Sequence, residues 1–413
     1  MLVTNPKAIA EVLVTRAYDL QKPSALSELC RKFIGTGLIT AEGDEHKRLR
    51  KDSSPAFSFR RVKDLYPVFW DVSAQFTTGV TQQLAKKEAS PVVEINHWAN
   101  LATTDIIGMA AMGKDFGSLK QGQDHPLIAN FEEITNPSTE KVIYFALNIL
   151  GLSQIVRLLP WRMNKLADTI STNLYSICSK LVSQKQTELA SAKPDAHKDI
   201  LSHLITTTTL SHQQLVDQFL TILSAGHGTT SVTFTWLTYL LAQNPEIQKR
   251  LRSEIHQHVP SPSEPVNGDD LASILQSLPL LNGVCNETLR LYPAINIIYR
   301  DTVRSTLLVG NVIPAGVQVI LSPWAINREK RFWGKDAEEF QPQRWIDVDA
   351  ETGAEKPNNS GGAESNYANL TFLHGPRSCI GHGFAVAELR CLVAMFVGRF
   401  EFEMADPDEV VIP

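Results

Sequence analysis

The sequence is sparing in cysteine, lacks long apolar runs and carries no excess of positive charge. Its five cysteines, Cys30, Cys178, Cys285, Cys379 and Cys391, form no C-x-x-C pair and are odd in number. That argues against a zinc knuckle and a closed disulfide framework, and for a reducing compartment. A formal net charge of -5 gives no electrostatic reason to expect a nucleic-acid partner. No apolar run reaches the roughly 20 residues that cross a bilayer. The opening residues Met1 to Pro6 have neither the basic n-region nor the apolar h-region of a signal peptide. The nearest apolar stretch, Val142 to Leu152, is interrupted by Asn148. It reads as a buried helix in preference to a contact with a membrane surface.

What is present suits a large globular core: 413 residues, 43% hydrophobic and 20% charged. Asn5 before Pro6 reads as the cap of a short helix through Val14, with Leu2 and Val3 as the tail of a strand. Helical periodicity covers about 62–87, 96–112 and 163–192. Breaks rich in Pro and Ser fall at 190–198, 259–270 and 350–367, the last read as a surface loop. No break is long enough for an interdomain linker, and there is no internal repeat. The longest predicted helix runs from Ser211, which forms a capping box with Gln214, to about Gln243, where Asn244-Pro245 stops it. Another ends at Tyr292-Pro293. Beyond it the pattern changes to short strands at 306–309, 312–313 and 317–321, separated by Gly-containing turns. The fold class is mainly α with a minor β-sheet.

Three stretches stand out chemically. In Phe372-Leu373-His374-Gly375-Pro376-Arg377-Ser378-Cys379-Ile380-Gly381, a lone cysteine sits between glycines and opens onto a helical pattern. The N–H groups of that helix favour a thiolate, which is a ligand or a nucleophile; taken alone, a buried structural cysteine is the commoner case. The centre of the longest helix, Ser224-Ala225-Gly226-His227-Gly228-Thr229-Thr230, holds two glycines that each cost about 1 kcal/mol relative to alanine. Either a site needs an opening there or another helix packs closely over the glycines. Glu287 and Arg290, three apart on one helix, share a face and can pair.

In order along the chain, these stretches resemble one family, the cytochrome P450 haem-thiolate monooxygenases. Phe372-x-x-Gly375-x-Arg377-x-Cys379-x-Gly381 matches the family's haem-binding loop at every defined position. Ala225-Gly226-x-x-Thr229-Thr230 resembles its oxygen-binding helix. Glu287-x-x-Arg290 resembles its buried pair, and Phe340-x-Pro342-x-Arg344-Trp345 the segment whose arginine completes that network. The spacings, 58 residues from Thr229 to Glu287 and 92 from Glu287 to Cys379, keep the family's order.

The resemblance implies a single domain over residues 1–413, with a long central helix over haem b and the cysteine loop beneath. It makes Cys379 the axial iron ligand, in a loop where Phe372, Gly375 and Gly381 belong to the cofactor site and the two glycines leave room for the porphyrin. Arg377, Arg300 and Arg50 take the haem propionates, with His46 in the place where relatives often carry tryptophan. Glu287, Arg290 and Arg344 are structural. Thr229 is catalytic, its hydroxyl positioning water and the proton delivered to dioxygen. Relatives usually place an acid immediately before this threonine; here stands Gly228, and His227 beside it reads as a packing residue.

Further expectations rest on the same resemblance. Electrons come from NADPH through a cytochrome P450 reductase, which the basic residues from Lys47 to Lys63 are suited to dock. The substrate is a lipophilic small molecule, in fungal secondary metabolism, and nucleic acid plays no part. The location is the cytosolic face of the endoplasmic reticulum, or the cytoplasm for the chain as given, with a candidate peripheral membrane contact. Membrane anchor, Pro-rich hinge, first strands and the closing C-terminal hairpin are not in the sequence, as in a trimmed product or an incomplete gene model. Two alternatives stand beside the monooxygenase: a haem-thiolate isomerase or peroxide user, which needs no proton relay, and a truncated non-catalytic protein.

Overall fold

A computed structural model of the chain describes residues 1–86, 92–122, 126–135, 138–191, 199–260, 267–409 and 411. The breaks read at 190–198 and 259–270 lie largely outside those residues.

Six helices frame the site: α1 (Tyr66–Ala85), α2 (Ile95–Met112), α3 (Arg162–Ser191), α4 (His212–Gln243), α5 (Pro279–Leu291) and α6 (His382–Arg399). The capping box that starts α4 is formed on both sides. Ser211 Oγ accepts from the Gln214 N–H at 3.3 Å, and Gln214 Oε1 accepts from the Ser211 N–H at 3.1 Å. Buried residues such as Leu215, Phe219, Thr230, Phe234 and Leu241 are spread around α4, because it runs through the molecule with α2, α3, α5 and α6 all packed on it. Phe76 of α1, Phe234 of α4 and Phe396 of α6 join these helices, Phe76 and Phe396 stacked at 5.6 Å and Phe234 edge-on to both. The pattern read as one helix over 62–87 is two, Phe59–Asp64 and α1, separated at Leu65.

The small sheets hold four strands that the sequence reading did not find, at Leu20–Gln21, Ile298–Thr302, Ile346–Val348 and Glu355–Pro357. Strands β1 (Leu20–Gln21), β2 (Ile298–Thr302) and β5 (Gln318–Leu321) form an antiparallel sheet with β2 in the centre, Arg300 opposite Val319. Strand β2 directly follows the Pro293 region, and its Ile-Tyr-Arg-Asp-Thr run lacks a clean apolar alternation. Leu2 bridges Ile320 in parallel, so the strand tail read at the N-terminus is there. Strands β3 (Thr306–Leu308) and β4 (Asn311–Ile313) make the expected hairpin. Strands β6 (Ile346–Val348) and β7 (Glu355–Pro357) form a second hairpin partly within what was read as loop.

Val142 to Leu152 departs from expectation. Its helix, Thr139–Ile149, buries Tyr144 and Asn148 but turns apolar side chains outward. Val142, Leu150 and, farther on, Leu158 are 61%, 73% and 85% exposed. The buried-helix reading is therefore wrong for this segment: one polar-tipped face is inside and the aliphatic face is outside. No helix among the described residues is long and apolar enough to cross a membrane.

Candidate active site

Cys379 sits where a backbone loop meets α6. Its N–H donates to the Phe372 carbonyl at 2.8 Å, which closes the loop on itself, and the Phe372 ring stacks at 4.0 Å on His382, the first residue of α6. Leu373, at φ 54, holds a left-handed conformation costly for a branched aliphatic residue. Of the five cysteines, Cys379 alone is exposed; Cys30 is half-buried and Cys178, Cys285 and Cys391 are buried. Burial pushes the Cys178 and Cys285 thiols up to about 12. The Cys379 thiol is also raised, first by the protein packed around it, while the Gly381 N–H and Arg50 act in the opposite direction. As a free thiol Cys379 is no thiolate, contrary to what the helix start alone suggests; a bound metal would deprotonate it.

The two loop glycines differ in what they make room for. A Cβ on Gly375, at φ 74, would lie 2.2 Å from the Leu13 carbonyl oxygen. Its missing side chain is therefore required by the N-terminal backbone, not by a cofactor. The Leu13 carbonyl lies in the π-helical turn Glu11–Thr15, which prolongs the helix Pro6–Ala10 capped by Asn5 Oδ1. At Gly381 a Cβ would meet only Cys379 Sγ, at 4.0 Å, so this glycine does keep the space beside the sulfur open.

Around the loop the structure gathers cations. Arg50, on the helix Gly43–Ser53, donates through Nη1 to the Ser378 carbonyl at 2.5 Å. Arg377 donates to the Ala17 carbonyl and to Glu42, lies 4.7 Å over the Tyr18 ring, and leaves its buried Nε without a partner. Arg300, buried in β2, donates to its neighbour's carbonyl on Tyr299 at 2.8 Å. Burial, then Arg377, brings its pKa down to about 10. Lys22, which the sequence reading missed, bonds Glu42 at 2.9 Å and has a pKa lowered to about 8, by burial first and then by Arg300 and Arg377 against the pull of Glu42. Burial opposes ionisation of Glu42, but Lys22 and Arg377 hold its carboxyl below the usual range. His46 is buried with Nδ1 3.0 Å from the Tyr18 hydroxyl; burial and the neighbouring cations lower its pKa to about 4, so it is neutral.

Lys22 and Arg377 thus pair with one ionised carboxylate, Glu42, whose charge Arg300 also feels, while Arg50 donates to Ser378. A buried surplus of positive charge is costly unless an anion meets it. This donor set fits a group that brings a soft-ligand metal to one thiolate and two carboxylates to a cluster of arginines. No group of three or more His, Cys, Asp and Glu side chains suited to a metal exists among the described residues. Nothing in the spacing of the sequence pointed to Lys22 or Glu42: Lys22 follows β1, which pairs with β2, and Glu42 stands at the start of the helix Gly43–Ser53 and bonds Lys22 and Arg377.

Across the site, α4 is unbroken at Gly226 and Gly228, and the two explanations offered for them separate. A Cβ at Gly226 would lie 2.6 Å from Ile107 Cδ1, so α2 packs closely there. At Gly228 a Cβ meets nothing within 4 Å, so that glycine leaves space. Thr229 Oγ1 donates to the Ala225 carbonyl at 2.8 Å, which leaves its lone pairs to accept. His227 is buried, stacked at 5.1 Å on Phe131, with its pKa brought to about 4 by burial and its Nε2 unpartnered.

Glu287, Arg290 and Arg344 come together in the core. Glu287 and Arg290 are 0% exposed and make a two-pronged pair, both contacts 2.7 Å. Arg344 Nε reaches Glu287 Oε1 at 3.3 Å, Trp345 Nε1 donates to Oε2 at 2.9 Å, and the Gln341 N–H donates to Oε1 at 3.0 Å. Arg290 spends its remaining donors on the carbonyls of Asn327, Ala337 and Glu339.

The family model described as cytochrome P450 matches residues 1–412. Among curated proteins, the chain is 39% identical to the cytochrome P450 monooxygenase sphH of Aspergillus fumigatus, over 99% of this chain and 74% of that protein. It is 35% identical to the cytochrome P450 monooxygenase FUM15 of Gibberella moniliformis, over 98% of this chain and 74% of the relative. With the cytochrome P450 monooxygenase ptmK of Penicillium ochrochloron the identity is 34%, over 100% of this chain and 80% of the relative.

Proposed function

Because the chain belongs to the cytochrome P450 family, and is thereby a haem-thiolate monooxygenase, we propose that it holds haem b through Cys379 and inserts one oxygen atom of dioxygen into a lipophilic small molecule of fungal secondary metabolism. In this reading residues 1–413 are one such domain. The observation that carries the assignment is the coincidence of one accessible cysteine, with Arg50 bonded to the residue before it, and a group of Lys22, Arg300 and Arg377 that has Glu42 as its paired carboxylate. The bound haem supplies the activation of dioxygen.

The chain supplies the rest. Cys379 enters as thiolate, kept in place by the Phe372 carbonyl on its N–H. Arg300, Arg377, Arg50 and Lys22 receive the cofactor's carboxylates. His46 acts at one remove, because its neutral ring holds the Tyr18 hydroxyl and thereby the ring under Arg377. Thr229 keeps its hydroxyl proton on Ala225 O and offers lone pairs to a water, which orients that water's proton toward the oxygen side. His227 takes no part in the relay, being neutral, buried and committed to Phe131. Water standing in the space at Gly228 does the work of the acid that relatives carry.

Electrons reach the haem from NADPH through a cytochrome P450 reductase docked on the exposed Lys47, Arg48, Lys51 and Arg60. The exposed Val142, Ile143, Leu150, Ile155 and Leu158 give a peripheral contact with a membrane, which suits the cytosolic face of the endoplasmic reticulum.

The test is spectroscopic. Reduction under carbon monoxide gives the shifted Soret band of thiolate-ligated haem, and Cys379→Ser abolishes it; an unchanged band in that variant sinks the assignment. The space at Gly228 favours a second reading, a haem-thiolate isomerase or peroxide user that needs no relayed proton. Bound haem with no reductase-dependent turnover would support it, while no haem at all would point to a non-catalytic protein. Gly228→Glu raises the fraction of NADPH oxidation that yields product if proton delivery limits the monooxygenase, and leaves it unchanged otherwise.

A further inference from the structure

A concavity of about 530 Å³ opens beside α6. Its α6 lining, His382, Gly383, Val386, Ala387 and Arg390, recurs at helical spacing and forms one face of that helix. Glu388, on another face, lies beside Thr230 of α4, while His382 at one end of the lining stacks on Phe372 of the cysteine loop. The helix Phe59–Asp64 contributes Phe59, Val62 and Lys63; Tyr66 and Gln276 stand deeper.

The chemistry of the lining is one-sided. It includes Lys63 and Arg390 but no carboxylate. Arg390 has a buried Nε with no hydrogen-bond partner, although it interacts with the Tyr66 hydroxyl, which also accepts from Gln276 Nε2 at 3.3 Å. Lys63 has only a loose contact, 3.7 Å, with Asp269, itself 73% exposed, and otherwise lies 5.4 Å over the Phe59 ring. The positive field is felt by His382, whose pKa is lowered by burial and then by Arg390 and His374. Beside these cations the lining has apolar Phe57, Val62 and Val386, and Phe59 is 67% exposed. The volume falls in the range of roughly 300–1,000 Å³ found for small-molecule sites, with the usual mixture of apolar wall and a few convergent polar groups.

We propose that this cavity is a second binding site for a small amphipathic organic anion, a carboxylate or sulfonate carried on an aromatic or branched apolar body. The anionic head meets the Arg390 guanidinium with Tyr66 beside it, and Lys63 closes over it from the rim. The apolar body lies on Phe57, Phe59 and Val386. A molecule of the same shape without charge leaves Arg390 unpaired and loses the charge-assisted hydrogen bond.

Calorimetric titration of the haem-loaded chain with anilinonaphthalene sulfonate, and with its uncharged counterpart phenylnaphthylamine, tests the site. The sulfonate is expected to fill one saturable site, with the haem absorption spectrum unmoved. Its affinity falls roughly tenfold in Arg390→Gln and by a smaller factor in Phe59→Ser, and phenylnaphthylamine binds as weakly as the sulfonate does to Arg390→Gln. Equal affinity for the charged and uncharged probes, unchanged affinity in the variants, or a displaced haem spectrum overturns the proposal. Should Arg390→Gln not fold, Lys63→Gln at the rim carries the same comparison, with a smaller loss expected.

Discussion

Two groups of buried charge lie within this fold, and they are built on opposite plans. Around Glu287 every carboxylate lone pair and nearly every arginine donor has a partner, and the residues are sealed from solvent. Around Glu42 two cations, Lys22 and Arg377, pair with one carboxylate, and a third beside them, Arg300, donates to a carbonyl. The first arrangement is complete as it stands. The second makes electrostatic sense only when further negative charge arrives, since removing cations from water without counter-charge is costly. A satisfied network is scaffold; a surplus of one sign marks where a ligand belongs.

The contrast can be broken by substitution. Glu287→Gln leaves Arg290 buried and unpaired and should cost about 3–5 kcal/mol, read as a large fall in the thermal unfolding midpoint with or without haem. An unchanged midpoint would show that the network is not the scaffold. Arg300→Met should do the reverse. It removes an unpaired buried cation, so the haem-free protein keeps or gains stability, while haem retention drops by about 1.5–3 kcal/mol for the lost charge-assisted bond. Haem transfer to apomyoglobin measures that loss, and equal transfer rates would remove Arg300 from the cofactor site. Glu42→Gln sharpens the point, because it deletes the one local counter-charge. The haem-free protein should lose about 1–3 kcal/mol, yet retain haem more strongly than wild type; weaker retention would count against competition between Glu42 and the propionates.

The smallest expected effect is a pH dependence. His46 has its pKa lowered from 6.5 to about 4. The unfolded chain therefore binds a proton between those values that the folded chain refuses, and stability is lost as pH falls through that window. The slope from this group is about 1.4 kcal/mol per pH unit at most. Acid unfolding of the haem-free protein should flatten in His46→Phe, and an identical profile would place the burden on His227, which has a similarly lowered pKa.

Much of this was legible in the residues. The capping box at Ser211, the loop around Cys379 and the Glu287–Arg290 spacing are local patterns, and local patterns survive into the fold. What escaped depends on distant pairing. Lys22 lies near the candidate site because β1 pairs with β2, and Glu42 because it bonds Lys22 and the distant Arg377, separations that no periodicity reports. Gly375 looked like room for a cofactor, yet its constraint comes from Leu13 at the other end of the chain. Val142 to Leu152 was misread because burial and exposure of an amphipathic helix give the same period. At Gly226 and Gly228 the sequence showed only a weakened helix, and neighbours decided which glycine was for packing and which for space.

The contact of Gly375 with Leu13 also bears on when the site can exist. Arg377 bonds Ala17 across 360 residues, and Arg50 bonds Ser378 across 328. Contacts so far apart in sequence form only after their intervening chain has been made and gathered in. On the ribosome, where synthesis proceeds from the N-terminus, the cationic cradle must wait unfinished until the cysteine loop emerges. Cofactor loading is therefore a late event, and a nascent chain stalled before Phe372 would hold Arg50 and Arg300 without the cysteine that completes the site.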